Sequence, residues 1–225
     1  MISMTTTDQL ADAPAPGRQR RNRGSEVVRS ALLDAAIAEF AAEGFNGASG
    51  RSIAAAAGTH QSQINYHFAS KEELWKAAMS ALLDELDVHV ASHAVDRGSD
   101  DAAVLMAAVI RGLVHFAAAR PELNRLMIHE GAAPGPRLAW LVAERTASRH
   151  ADLGRLWLAA QATGKAAPID ADVVYHSLIG AASLLYANAP EAELLGLDPA
   201  DPELIARHAR SLITLFLPGH TPEET

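Results

Sequence analysis

The chain has 225 residues, is 49% apolar and 20% charged, contains no cysteine and carries a formal net charge of −8. That length supplies one or two domains with ample core material, and so apolar a composition excludes a disordered chain. The missing cysteine excludes disulfides, thiolate metal sites and thiol nucleophiles, and the acidic balance excludes binding nucleic acid or membrane by bulk charge alone.

Alanine accounts for 47 residues. It is the best helix former, so composition already points to an all-α fold. The charge is uneven. Residues 18 to 71 hold seven basic and four acidic groups, whereas 72 to 225 hold 12 basic and 21 acidic ones. A small basic head on an acidic body predicts different partners for the two parts.

In chain order, residues 1–24 mix Thr, Ala, Pro and Gly with Arg18, Arg20, Arg21 and Arg23 and lack periodicity. They read as a disordered basic arm, without the apolar run of a secretory signal. Ser25 caps a first helix whose face is Leu33, Ala36, Ile37 and Phe40 and which ends at Gly44. A second helix spans about Arg51 to Ala57, with a stop at Gly58, and a third spans about His60 to His67. Ser70 and Glu73 have the spacing of a capping box and open a fourth helix, to about Val95.

Gly98 and Ser99 break the pattern, and Ser99, Asp100 and Asp101 start a fifth helix, to about Arg120. A sixth runs from Pro121 to Gly131, and a seventh from Pro134 and Pro136 to about Thr163. Asp170 caps an eighth, ending at Ala189. Asp201, Pro202 and Glu203 open a ninth, ending near Leu217. The clean apolar runs Ala102–Ile110 and Leu178–Ala187 reach about half of the ~20 residues that a membrane span needs.

The second and third helices, joined at Gly58, fit a helix-turn-helix. Ile53, Ala54 and Ala57 would face Ile64 and Phe68. The exposed arc then centres on Thr59, Ser62 and Tyr66, flanked by Gln61, Gln63 and Asn65. An amide-rich, uncharged arc suits base edges, where lysines would hold only phosphate.

Gly44-Phe45, Arg51, Ile53-Ala54, Ala57-Gly58, Ile64, Tyr66-His67-Phe68 and Ser70-Lys71-Glu72-Glu73-Leu74 together resemble the DNA-binding domain of the TetR family of transcriptional regulators, over about residues 26 to 86. The run Asn65-Tyr66-His67-Phe68 is a variant of the family pattern, which more often has tyrosine where Asn65 stands. The resemblance implies a helix-turn-helix domain at 25–70 and a helical ligand-binding and dimerisation domain at 71–225, about nine helices in all. It places Arg51, Gln61, Ser62, Gln63 and Asn65 at base edges, and Ser49, Tyr66, His67 and Lys71 at phosphates. His60 stands where the family often has a serine cap, so Thr59 is expected to cap instead.

For the body, the resemblance implies a homodimer on a palindromic operator, released by a small organic effector of unknown identity, with no membrane, cofactor or metal. The expected cavity lining is Met79, Leu82, His89, Met106, His115, Phe116, Met127, Trp140, Trp157 and Tyr175. The expected dimer face is Gly180, Ala181, Leu204, Ile205, His208, Leu212 and Leu215. Glu85, His89 and His93 share one helix face at metal-ligand spacing, without a further ligand. A cytoplasmic repressor is the reading that follows. An adaptor using the basic arm for an acidic partner is the alternative. An enzyme is disfavoured, because no G-x-S-x-G, H-E-x-x-H, P-loop or dinucleotide fingerprint occurs.

Overall fold

The computed structural model describes residues 16–95 and 100–220, with side chains placed for 24–93 and 100–220. Among the described residues the structure is helical with no strand. The order is α1 (Pro16–Gly47), α2 (Gly50–Ala56), α3 (Ser62–Phe68), α4 (Lys71–Val95), α5 (Ala102–Ala119) and α6 (Glu122–Gly131), then α7 (Pro136–Leu141), α8 (Ala147–Ala162), α9 (Ala171–Ala187), α10 (Ala189–Leu194) and α11 (Pro202–Phe216).

Two cores organise these helices. The first joins α1, α2, α3, the front of α4, and parts of α6 and α7. Leu32, Ala36 and Phe40 of α1 are fully buried in it, whereas Leu33 is only half-buried. Ala36, Ile37 and Phe40 of the expected face are thus buried, and Leu32 takes the inward place expected of Leu33. Gly44 leaves the helical region at φ 66°. A Cβ there would also come within 3.3 Å of the His129 ring, so conformation and space both require glycine. Ser49 caps α2 by accepting from the Ser52 N–H at 2.9 Å.

The second core is built around α5, whose Met106, Ile110 and Val114 have no exposed surface. By length and composition α5 could cross a membrane, which the shorter run Ala102–Ile110 did not suggest. Here it packs against α4, α8, α9 and α11. Gly112 permits the close crossing with α4, since a Cβ at that position would lie 2.9 Å from the Val90 Cα. α4 belongs to both cores. Leu74 and Leu83 lie in the first, Val90 packs on the second, and Leu86 touches both.

Several boundaries differ from expectation. α1 is helical from Pro16, so residues 16–24 of the arm are not without structure, and residues 1–15 lie outside the described residues. Proline suits a first turn, and arginine and glutamine are good helix formers. The expected break at Gly98 and Ser99 also lies outside them. The seventh helix is interrupted by a π turn, Val142–Thr146, which splits it into α7 and α8. The short α10 has no counterpart among the expected helices. Thr59 does not cap α3, whose first residue follows Gln61 without any side-chain cap. At α4, Ser70 accepts from the Glu73 N–H at 3.1 Å, but Glu73 turns to Lys76 at 2.9 Å, so only half of the capping box forms.

Candidate functional site

α3 buries Ile64 and Phe68 and turns its opposite side outward. Gln61, Ser62, Asn65 and Tyr66 are exposed there, Tyr66 at 75%. Gln63 is half-exposed and borders a shallow depression with Tyr66, His67, Ser25 and Val28. None of the three amides forms a hydrogen bond within the described residues, so their donors and acceptors stay available. Tyr66 packs edge-on against His67, with ring centres 4.9 Å apart.

Around this helix the predicted phosphate ligands already have partners. Ser49 donates its backbone N–H to Glu39 Oε1 at 3.3 Å, and Ser52 donates its hydroxyl to Glu39 Oε2 at 3.0 Å. Glu39 therefore sits at the positive end of α2, a residue that sequence reasoning missed because its partners are ten or more positions away. Lys71 donates to the Ala48 carbonyl and lies 4.7 Å from the Phe45 ring centre, which joins the start of α4 to the end of α1. Arg51 is exposed.

The turn between α3 and α4 is tight. Ala69 has φ 63°, ψ −38°, and the Ser70 N–H donates to the Phe68 carbonyl at 2.7 Å. This is a γ-turn with positive φ, a strained form for a residue with a Cβ.

A cavity of about 380 Å³ opens between α4, α5, α6, α8 and α9, within the size range of small-molecule sites. Leu86, Val90, Leu113, Leu156 and Ile179 supply apolar wall. Of the expected lining, Phe116, Met127 and Tyr175 reach it. Met79 and Leu82 are buried in the first core, and Met106 and Trp157 in the second. Trp157 donates to the Ile169 carbonyl at 2.9 Å, and Trp140 packs on Trp75 at 6.0 Å. An inward stripe in sequence does not distinguish a side chain that meets another from one that meets a void.

His89 and His115 do not line the cavity either. His89 packs on Phe116 at 5.8 Å, and His93 lies 4.9 Å from His89 and 5.4 Å from His115. Burial, then the neighbouring histidines, hold the His89 and His115 imidazoles below their ordinary range. Glu85 is paired with Arg120 instead of joining these rings. Among the described residues no group of three potential ligands is placed to hold a metal.

Three arginines of the body clasp three carboxylates of α4. Arg145 binds Asp84, Arg149 binds both oxygens of Asp87, and Arg120 binds Glu85. Arg149 also donates to the Arg145 and Leu83 carbonyls. Asn124, Thr146 and Tyr175 line the cavity, and their side chains form no hydrogen bond within the described residues. Burial raises the Tyr175 phenol above its ordinary range.

Residues 32–78 match the model of the bacterial regulatory proteins of the tetR family. The amino-terminal domain is a TetR-family DNA-binding domain. The TetR-type fold extends over most of the chain. The structure of AibR in complex with isovaleryl coenzyme A and operator DNA superposes with a TM-score of 0.69 at 21% identity, covering 85% of this chain and 98% of that one. A Clostridium perfringens putative fatty acid metabolism regulator gives 0.67 at 18%, covering 86% and 100%. The ketosteroid transcriptional regulator KstR2 of Mycobacterium tuberculosis gives 0.67 at 21%, covering 87% and 95%. No curated protein matches in sequence.

Within this TetR-type frame, the expected dimer residues divide. Leu204 and Leu212 are buried in their own chain, Ile205 and His208 are half-buried, and Gly180 and Leu215 are exposed. The Tyr186 hydroxyl meets His208 Nδ1 at 3.1 Å, and burial pushes the Tyr186 phenol up to about 12. Val173 and Leu184, at i−7 and i+4 from Gly180 on α9, are exposed apolar side chains, as is Leu215 on α11.

Proposed function

We propose that this chain is a cytoplasmic, dimeric repressor that holds a palindromic operator and is released by a small molecule in the cavity. Gln61, Ser62, Gln63, Asn65 and Arg51 read base edges, while Ser49, Tyr66, His67 and Lys71 hold phosphates and set the register. Lys71 and Ser49 do so with the donors that their partners in the chain leave unused. Val173, Leu184 and Leu215 supply apolar surface for a two-fold partner.

One observation carries the reading. α4 starts at the turn behind α3 and lines the cavity between Leu83 and Ala91, with Leu86 packed against both cores. A ligand that favours another position of α4 shifts the spacing of the two α3 helices, and linkage requires DNA to weaken that ligand in return. Within the cavity lining Arg149 is bound to Asp87, while Arg120 is bound to Glu85 and Asp152 to Arg155 outside it.

Selection from a random duplex pool with the full chain, at roughly physiological salt, tests the reading. A palindrome with half-sites about 34–36 Å apart, or a multiple of that, is expected. Retention without sequence enrichment would overturn it.

A further inference from the structure

The charges around the cavity constrain what can enter it. Two guanidiniums, Arg120 and Arg149, reach the lining, and each already holds a carboxylate of α4. Arg149 places Nε and one terminal nitrogen on Asp87, the other terminal nitrogen on the Arg145 carbonyl, and has a further contact to the Leu83 carbonyl. Arg120 is bound to Glu85, with Glu122 Oε2 3.7 Å from its Nε. Asp87 and Asp152 stand in the lining itself. An anionic ligand would meet these carboxylates beside cations whose charge Asp87 and Glu85 already offset. It would lose hydration and gain only cations already offset by carboxylates, which is costly for a charge taken out of water.

What the cavity does offer is apolar wall and the unused hydrogen-bonding groups of Asn124, Thr146 and Tyr175. We infer that the cavity binds an uncharged, mainly hydrocarbon molecule that carries one or two hydroxyl or carbonyl oxygens for these three side chains. The inference rests on the cavity being the effector site and names the class of that effector.

Matched pairs of probes separate charge from shape. Binding of decanol and decanoate, and of naphthylmethanol and naphthoate, is measured calorimetrically on the full chain at pH 7.5, below any micelle concentration. The neutral member of at least one pair is expected to bind at least tenfold more tightly than its carboxylate, and Tyr175→Phe to weaken it several-fold. Asp87→Asn leaves Arg149 less neutralised, so it is expected to strengthen carboxylate binding. Asp87 is half-exposed, and the loss of such a pair leaves the fold intact. Carboxylates that bind as tightly as their neutral partners, or a carboxylate affinity unmoved by Asp87→Asn, would overturn the ligand class alone. Binding of none of the four would overturn both the class and the cavity's role as effector site.

Discussion

The Arg137 guanidinium lies 3.8 Å from the centre of the Phe45 ring, while its Nε donates to the buried Glu130 carboxylate at 3.1 Å. Phe45 closes the first helix of the DNA-binding head, and Arg137 and Glu130 come from the two helices that cap it from the body. One cation therefore binds head to body and neutralises the buried acid. Arg137→Ala leaves Glu130 unpaired and is expected to cost about 3 kcal/mol, measured by urea unfolding. A loss under ~0.5 kcal/mol, the range of ordinary surface changes, would show that the pair does not hold the interface.

Ala69 holds a positive φ in the γ-turn between the recognition helix and α4. Ala69→Gly removes the Cβ strain and is expected to stabilise the chain by about 1 kcal/mol. The midpoint of denaturant unfolding reads this directly. A lower midpoint would mean that the flexibility gained by the unfolded chain outweighs the strain.

Gly112 lets α5 cross α4 at Val90. A methyl there would meet backbone, which cannot rotate away. Gly112→Ala is expected to destabilise by about 1–3 kcal/mol and, by moving α4, to lower operator affinity beyond the loss of folded protein. Unchanged stability and affinity would show that the crossing is loose.

Much of this was legible in the sequence, and the misses have common causes. The capped starts at Ser70, Asp101, Asp170 and Asp201 are local chemistry, and each forms, whereas the expected cap Ser25 lies inside α1. The exposed amide arc of α3 follows from periodicity once Ile64 is inward. The π turn at Val142–Thr146 has no proline or glycine to announce it. The clasps Glu39–Ser52, Arg137–Glu130 and Arg149–Asp87 join residues 13, 7 and 62 positions apart on separate helices, and charge pattern alone does not pair them. Met79, Leu82, Met106 and Trp157 carry the spacing expected of a cavity lining yet fill the cores, because apolar spacing reports burial and not emptiness.

His89 and His115 titrate below the ordinary histidine value of 6.5, chiefly through burial. His93 faces both rings, and the charges of Glu85 and Arg111 act on them from α4 and α5. An unfolded chain takes protons at that ordinary value, and the folded chain resists them. Stability from these groups is therefore full above pH 6.5 and falls as the pH drops toward the depressed folded values. Unfolding free energies between pH 7.5 and 5 are expected to decline, and His89→Gln with His115→Gln to flatten the decline. An equal slope in the double variant would place the pH dependence elsewhere.

The central claim is that the amides of α3 read bases. It is tested most directly by sequencing the duplexes enriched by the wild-type chain beside those enriched by Gln61→Ala and Gln63→Ala. Both side chains are outward and form no internal hydrogen bond, so the variants fold. The account predicts that each variant relaxes or changes the preferred base at one or two positions, symmetrically in both half-sites, with a discrimination loss of about 1–3 kcal/mol. An identical motif bound by all three proteins would contradict it, and would assign sequence reading to other residues.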